Sequence, residues 1–162
     1  MSENLKGLIS GVFFGTGSGV ITTLGLIVGL FAGTESLAAV MGGILVIAIS
    51  DSMSDAFGMH LAEEARPDST ARSVWLATLA TFITKFVMAS TFILPLLILP
   101  LEHAVIACLV WGTIVLTAIS IFIARQQGES VLPVVAEHLG IATLVMVLSW
   151  LAGIGVNRWL GV

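Results

Sequence analysis

The chain has 162 residues, of which 57% are hydrophobic and only 10% charged, with a formal net charge of −4 and a mean hydropathy of +1.11. A soluble domain carries about 25% charged residues, so this sequence cannot cover a water-facing surface. It holds no basic run, which excludes nucleic acid as a partner. Its single cysteine, Cys108, excludes a disulfide framework and a thiolate zinc cluster.

A membrane-spanning helix needs about 20 mostly apolar residues, and five stretches qualify. They predict an all-α integral membrane protein with one transmembrane domain over 1–162. The first helix is expected at 8–31. It is too long for a signal-peptide core and has no small-residue cleavage site, so it is expected to be retained. It carries Gly15-Thr16-Gly17-Ser18-Gly19 and then Thr22-Thr23. No strand precedes these glycines, so close helix contact or carbonyls lent to an ion explain them better than a nucleotide loop.

The turn Gly33-Thr34-Glu35 leads to a second helix at 36–61, and the charged stretch from Glu63 to Arg72 to a third at 73–99. Pro95 is expected to kink the end of that third helix. The turn Pro100-Leu101-Glu102-His103 opens a fourth at 104–124, and Gln126 to Ser130 a fifth at 132–160. With the N-terminus in the cytoplasm, Lys6, Arg66, Arg72 and Arg125 lie on one side and Arg158 on the other. That bias predicts an N-in, C-out chain. Trp75 and Trp159 stand near helix ends, where interfacial anchors belong.

The chemistry concentrates in the second helix. A charge near the bilayer centre costs about 3 kcal/mol on insertion scales. Two aspartates within one turn repel each other unless a cation or proton lies between them. At about 100° per residue, Asp51, Asp55, Met59 and Glu63 form one slowly drifting stripe, flanked by Ser54. His60 and Glu64 point the opposite way with Met53 and Phe57. Carboxylate oxygen beside a soft thioether suits Fe²⁺ or Mn²⁺ better than Na⁺ or Mg²⁺. Lys85, in the third helix, lies at about the same depth as Asp51, roughly 15–18 Å from the same end. An Asp51–Lys85 pair is therefore open, either as a structural pair or as a switch that a metal displaces. Glu137-His138 near the start of the fifth helix fit an interfacial position.

These segments resemble the vacuolar iron transporter family and its nodulin-like relatives. The resemblance rests on residues 19–29 (Gly-Val-Ile-Thr-Thr-Leu-Gly-Leu-Ile-Val-Gly), on Ser54-Asp55-Ala56-Phe57-Gly58-Met59-His60, and on Phe92-Ile93-Leu94-Pro95-Leu96-Leu97. It implies a dimer that exports Fe²⁺ and similar ions from the cytosol in exchange for protons. The chain departs from the family pattern in three ways. Ser18 replaces the usual Asp, Asp55 and Met59 stand where the family has Met and then Glu, and the cytoplasmic metal-binding insert between helices two and three is missing.

Together these readings predict a homodimeric transporter of divalent transition metal in a prokaryotic plasma membrane, with no permanent cofactor and no enzymatic activity. Asp51 and Asp55 are the expected primary ligands and proton carriers, with Met59, Ser54 and Glu63 as further ligands. Ser18, Thr22 and Thr23 are expected to line the path, Lys85 to couple, and Glu63, Glu64 and His60 to gather cations at the mouth. The alternatives are a proton-coupled carrier of another solute built on an Asp/Lys pair, and a non-transporting membrane subunit. A di-iron oxidase is disfavoured because Glu-x-x-His motifs are missing.

Overall fold

A computed structural model describes residues 2–161. Within them the chain forms α1 (Glu3–Thr34), α2 (Leu37–Glu64), α3 (Ala71–Thr91), α4 (Ile93–Ile98), α5 (Leu101–Gln127) and α6 (Val131–Leu160), with no strand. Counting α3 and α4 as one interrupted span, Ala71–Ile98, five helical segments are long and apolar enough to cross a membrane. The multi-pass helical architecture is thus the expected one.

The helix ends follow from local chemistry. α1 runs to Thr34, past the expected helix end at residue 31, and the reversal falls on Glu35 of the expected turn, in left-handed backbone (φ 49°), and on Ser36. Ser36 Oγ accepts the Ala39 N–H at 3.2 Å, capping α2. α3 starts with a reciprocal cap: Ser73 N–H donates to Thr70 Oγ1 (3.1 Å) and Thr70 N–H to Ser73 Oγ (2.9 Å). Pro95 lacks the N–H that would reach Thr91 four residues back, and the span breaks at Phe92. Gly128 (φ 72°) closes α5 with its N–H turned back to Ala124 and Arg125.

By contacts the chain divides into two compact units. The first comprises α1 up to Gly19 together with Leu45–Thr91. Here Gly7, Gly11, Gly15 and Gly19 recur every fourth residue on α1 and meet α3 along Ser73, Ala77, Thr81 and Lys85, also four apart. All four of these α3 residues are buried. The approach is backbone-close: a Cβ on Gly15 would lie 2.6 Å from the Thr81 carbonyl oxygen, and one on Gly19 3.3 Å from Lys85 Cα. Glycine is thus required along this face by space rather than by backbone angle.

The second unit comprises Val20–Ile44 and everything from Phe92 on. Gly29 and Gly33 of α1 approach the backbone of Ser149 and Gly153 on α6, and Asn157 Nδ2 donates to the Gly33 carbonyl at 2.9 Å. That bond satisfies one of the carbonyls left open at the end of α1. On α5, Gly112 makes room for the Leu24 side chain.

Gly15→Ala is expected to lower resistance to unfolding in mixed detergent micelles by about 1–3 kcal/mol, the usual cost of overpacking. Gly17→Ala, whose Cβ would meet nothing within 4 Å, is expected to be neutral or stabilising.

Candidate functional site

The glycine row of the first unit ends where its ionisable residues gather. Ser18, Asp51 and Lys85 each sit at the midpoint of a spanning segment: Glu3–Thr34, Leu37–Glu64 and Ala71–Ile98. Lys85 is the largest fully buried side chain of the protein's core, at 1% exposure. Its ammonium has three N–H donors, and three oxygens surround it. Asp51 Oδ2 lies at 2.5 Å, Ser18 Oγ at 2.9 Å, and Asp55 Oδ2 is in direct contact. The Asp51 contact is an ion pair whose angle falls outside hydrogen-bond geometry. Ser18 closes a ring by donating its hydroxyl proton to Asp55 Oδ2 at 2.6 Å while accepting from Lys85.

Fully ionised, this cluster carries two negative charges and one positive. It is therefore one charge short of neutral, in a position where an unbalanced charge costs about 3 kcal/mol or more. The side chains of Asp51 and Asp55 remain 33% and 23% exposed, in contrast to Lys85 at 2%. The cluster can thus be approached from the aspartate side. It offers two carboxylates and one hydroxyl, and among the described residues no group of three His, Cys, Asp or Glu side chains converges to hold a metal.

The other predicted site residues are distributed as follows. Ser54 is exposed beside the aspartates, and Met59 lies one turn beyond Asp55, half-buried. Glu63, expected as a metal ligand and mouth residue, is buried and bound by both oxygens to Arg66 (3.0 and 2.9 Å). Arg66 also reaches Glu3 at 3.3 Å, and Glu3 holds Lys6, so Glu63 belongs to a self-neutralising charge cluster.

His60, expected at a cation-gathering mouth, faces α3 instead: its Nδ1 is 3.0 Å from Thr78 Oγ1 and its ring meets Trp75 edge-on at 5.0 Å. Glu64 is exposed on the same side of α2 as His60. Thr22 and Thr23 follow Ser18 by one turn of α1 but belong to the second unit. Thr23 is fully buried and its hydroxyl has no hydrogen-bond partner among the described residues. In that unit His138 Nδ1 lies 2.7 Å from Ser120 Oγ.

Sequence reasoning paired Lys85 with Asp51 but missed Asp55 as a second partner and Ser18 as the bridge. The matching four-residue rows on α1 and α3, which end together at Gly19 and Lys85, are the pattern that would have placed Ser18 beside Lys85; Asp55, on α2, belongs to neither row. Ser52, next to Asp51, is fully buried, and its hydroxyl has no hydrogen-bond partner among the described residues. Compared with protein-family models, curated proteins and solved structures, the chain gives no match.

Removing the ammonium leaves two carboxylates facing each other. Lys85→Met is expected to cost ~3 kcal/mol in a micelle unfolding titration, and adding Asp55→Asn should recover part of that loss. A fully additive double mutant would show that the two groups do not interact.

Proposed function

We propose that this protein is a transporter of divalent transition-metal cations, such as Fe²⁺ or Mn²⁺, that moves them out of the cytosol in exchange for protons. The observation that carries this reading is a single lysine ammonium held between two mid-span carboxylates. In the resting site Lys85 acts as a tethered stand-in for the cargo. The one remaining negative charge accommodates a proton. A divalent ion entering at Asp51 and Asp55 takes over the role of the ammonium, and Lys85 then withdraws or gives up a proton. Ser18 supplies a neutral oxygen, and Met59 lies one turn along as a softer donor.

A carboxylate left a quarter to a third exposed at mid-span cannot face hydrocarbon. Ser54, Gly58 and Ala62 continue the same face of α2 at four-residue spacing, all exposed, and a Cβ on Gly58 would meet nothing. This small-residue face suits a second helix at close range. The proposed assembly is a homodimer whose partner copy helps cover the aspartates and complete the cation's ligand shell. The lysine and arginine distribution supports an N-in, C-out orientation, and a prokaryotic plasma membrane is the proposed location.

One observation favours a second reading. Lys85 fills the space between the carboxylates, and among the described residues no third acidic or imidazole ligand joins them. That suits a proton-coupled carrier of another solute, in which the Asp/Lys cluster handles only the proton.

Reconstituted into proteoliposomes, the native chain is expected to carry Mn²⁺ and Fe²⁺ with opposing proton movement, and Asp51→Asn with Asp55→Asn should reduce both fluxes to those of empty vesicles. A folded protein that moves protons but no metal would replace the metal reading with the second one.

A further inference from the structure

On the side of α2 opposite the aspartate stripe, α2 and α3 of the first unit enclose a groove of about 460 Å³. Met53, Phe57 and His60 form one wall and Trp75, Leu79 and Phe82 the other. Met53, Phe57, Trp75 and Leu79 are each more than half exposed, so the groove opens sideways from the two spans. From Trp75 to Phe82 it runs roughly 10 Å along α3.

One end of the groove is polar. The Thr78 hydroxyl donates to the Val74 carbonyl at 2.8 Å, which leaves its oxygen to accept from His60 Nδ1–H. Beyond this end each wall continues into a charge. Glu64 follows His60 by four residues on α2, and Arg72 precedes Trp75 by three on α3, so each shares the face of its wall. Both are exposed, and neither side chain forms a hydrogen bond or ion pair with a described residue. Glu3, Lys6, Glu63 and Arg66 nearby are all engaged with one another. The result is an apolar trough edged by a tryptophan, with the exposed Glu64 carboxylate and the exposed Arg72 guanidinium following its two walls where the apolar spans end.

We propose that this groove binds one phospholipid of the surrounding leaflet, with a zwitterionic headgroup carrying a primary ammonium, as in phosphatidylethanolamine. An acyl chain lies along Phe57, Leu79 and Phe82. Trp75 sits at headgroup level, as interfacial tryptophans do. Arg72 binds the phosphate and Glu64 the ammonium. An anionic headgroup satisfies Arg72 but meets Glu64 as a like charge. A choline headgroup has no N–H to donate to Glu64.

The test uses the full chain in phosphatidylcholine vesicles containing a small, equal fraction of acyl-brominated phosphatidylethanolamine, phosphatidylglycerol or phosphatidylcholine. Heavy-atom quenching of Trp75 is read as the difference between the native chain and Trp75→Phe. Brominated phosphatidylethanolamine is expected to quench about five-fold more effectively than either other lipid, the preference one surface charge gives. Arg72→Gln and Glu64→Gln should each remove the preference. Because both side chains are exposed and unpaired, these variants are expected to fold as the native chain does. Native mass spectrometry of the unmutated protein should retain one phosphatidylethanolamine per chain. Equal quenching by all three lipids would reduce the groove to ordinary lipid contact. Strongest quenching by phosphatidylglycerol would assign it to anionic lipid, and no quenching by any lipid would mean that a second copy covers it. Each of these three results overturns the proposal.

Discussion

The constraint on which this protein turns is the placement of one lysine ammonium between two aspartates at the middle of the spanning segments. None of the three charges is tolerable there alone, and the ammonium neutralises only one of the two carboxylates. The Ser18 hydroxyl, both donor and acceptor, ties the remaining geometry together. A purely structural pair would need one acid and one base. The second acid leaves a charge deficit, and that deficit gives a proton or a cation a reason to enter.

The packing of the first unit serves this placement. The glycine row of α1 brings its backbone against α3, and the α3 row that it meets ends in Lys85. Close approach at Gly19 is what lets a side chain as short as Ser18 reach both the lysine and Asp55. Bulkier residues along α1 would move Ser18 outward and break the ring. The same economy appears where α1 belongs to the second unit, with Gly29 and Gly33 against α6 and Asn157 closing the helix end. In lipid, where apolar surface gains little by burial against another helix, such small-residue contacts and polar ties carry much of the association.

Much of this was legible in the sequence. Length and hydropathy identify the five spans because backbone polar groups must be satisfied within each helix in a bilayer. Pro95 marks the break in the third span, and the spacing of Asp51 and Asp55 marks the chemistry. Helix ends were less legible. α1 begins at Glu3 and α2 reaches Glu64 because polar residues at a span's end extend a helix without lengthening its apolar run.

Glu63 and His60 were read as open to cations because periodicity gives a direction around the helix axis but not a partner. Arg66 claims the first, and Thr78 with Trp75 the second. The Lys85–Asp55–Ser18 ring depends on side chains that no single-helix pattern brings together.

The most direct test of the central claim is to count the protons released as Mn²⁺ binds to the purified protein in weakly buffered detergent solution. If the cargo displaces the proton that the second carboxylate holds in the resting site, binding releases at least one proton per chain, and Asp51→Asn with Asp55→Asn abolishes both binding and release. Mn²⁺ binding without proton release, or binding that survives the loss of both aspartates, would contradict it.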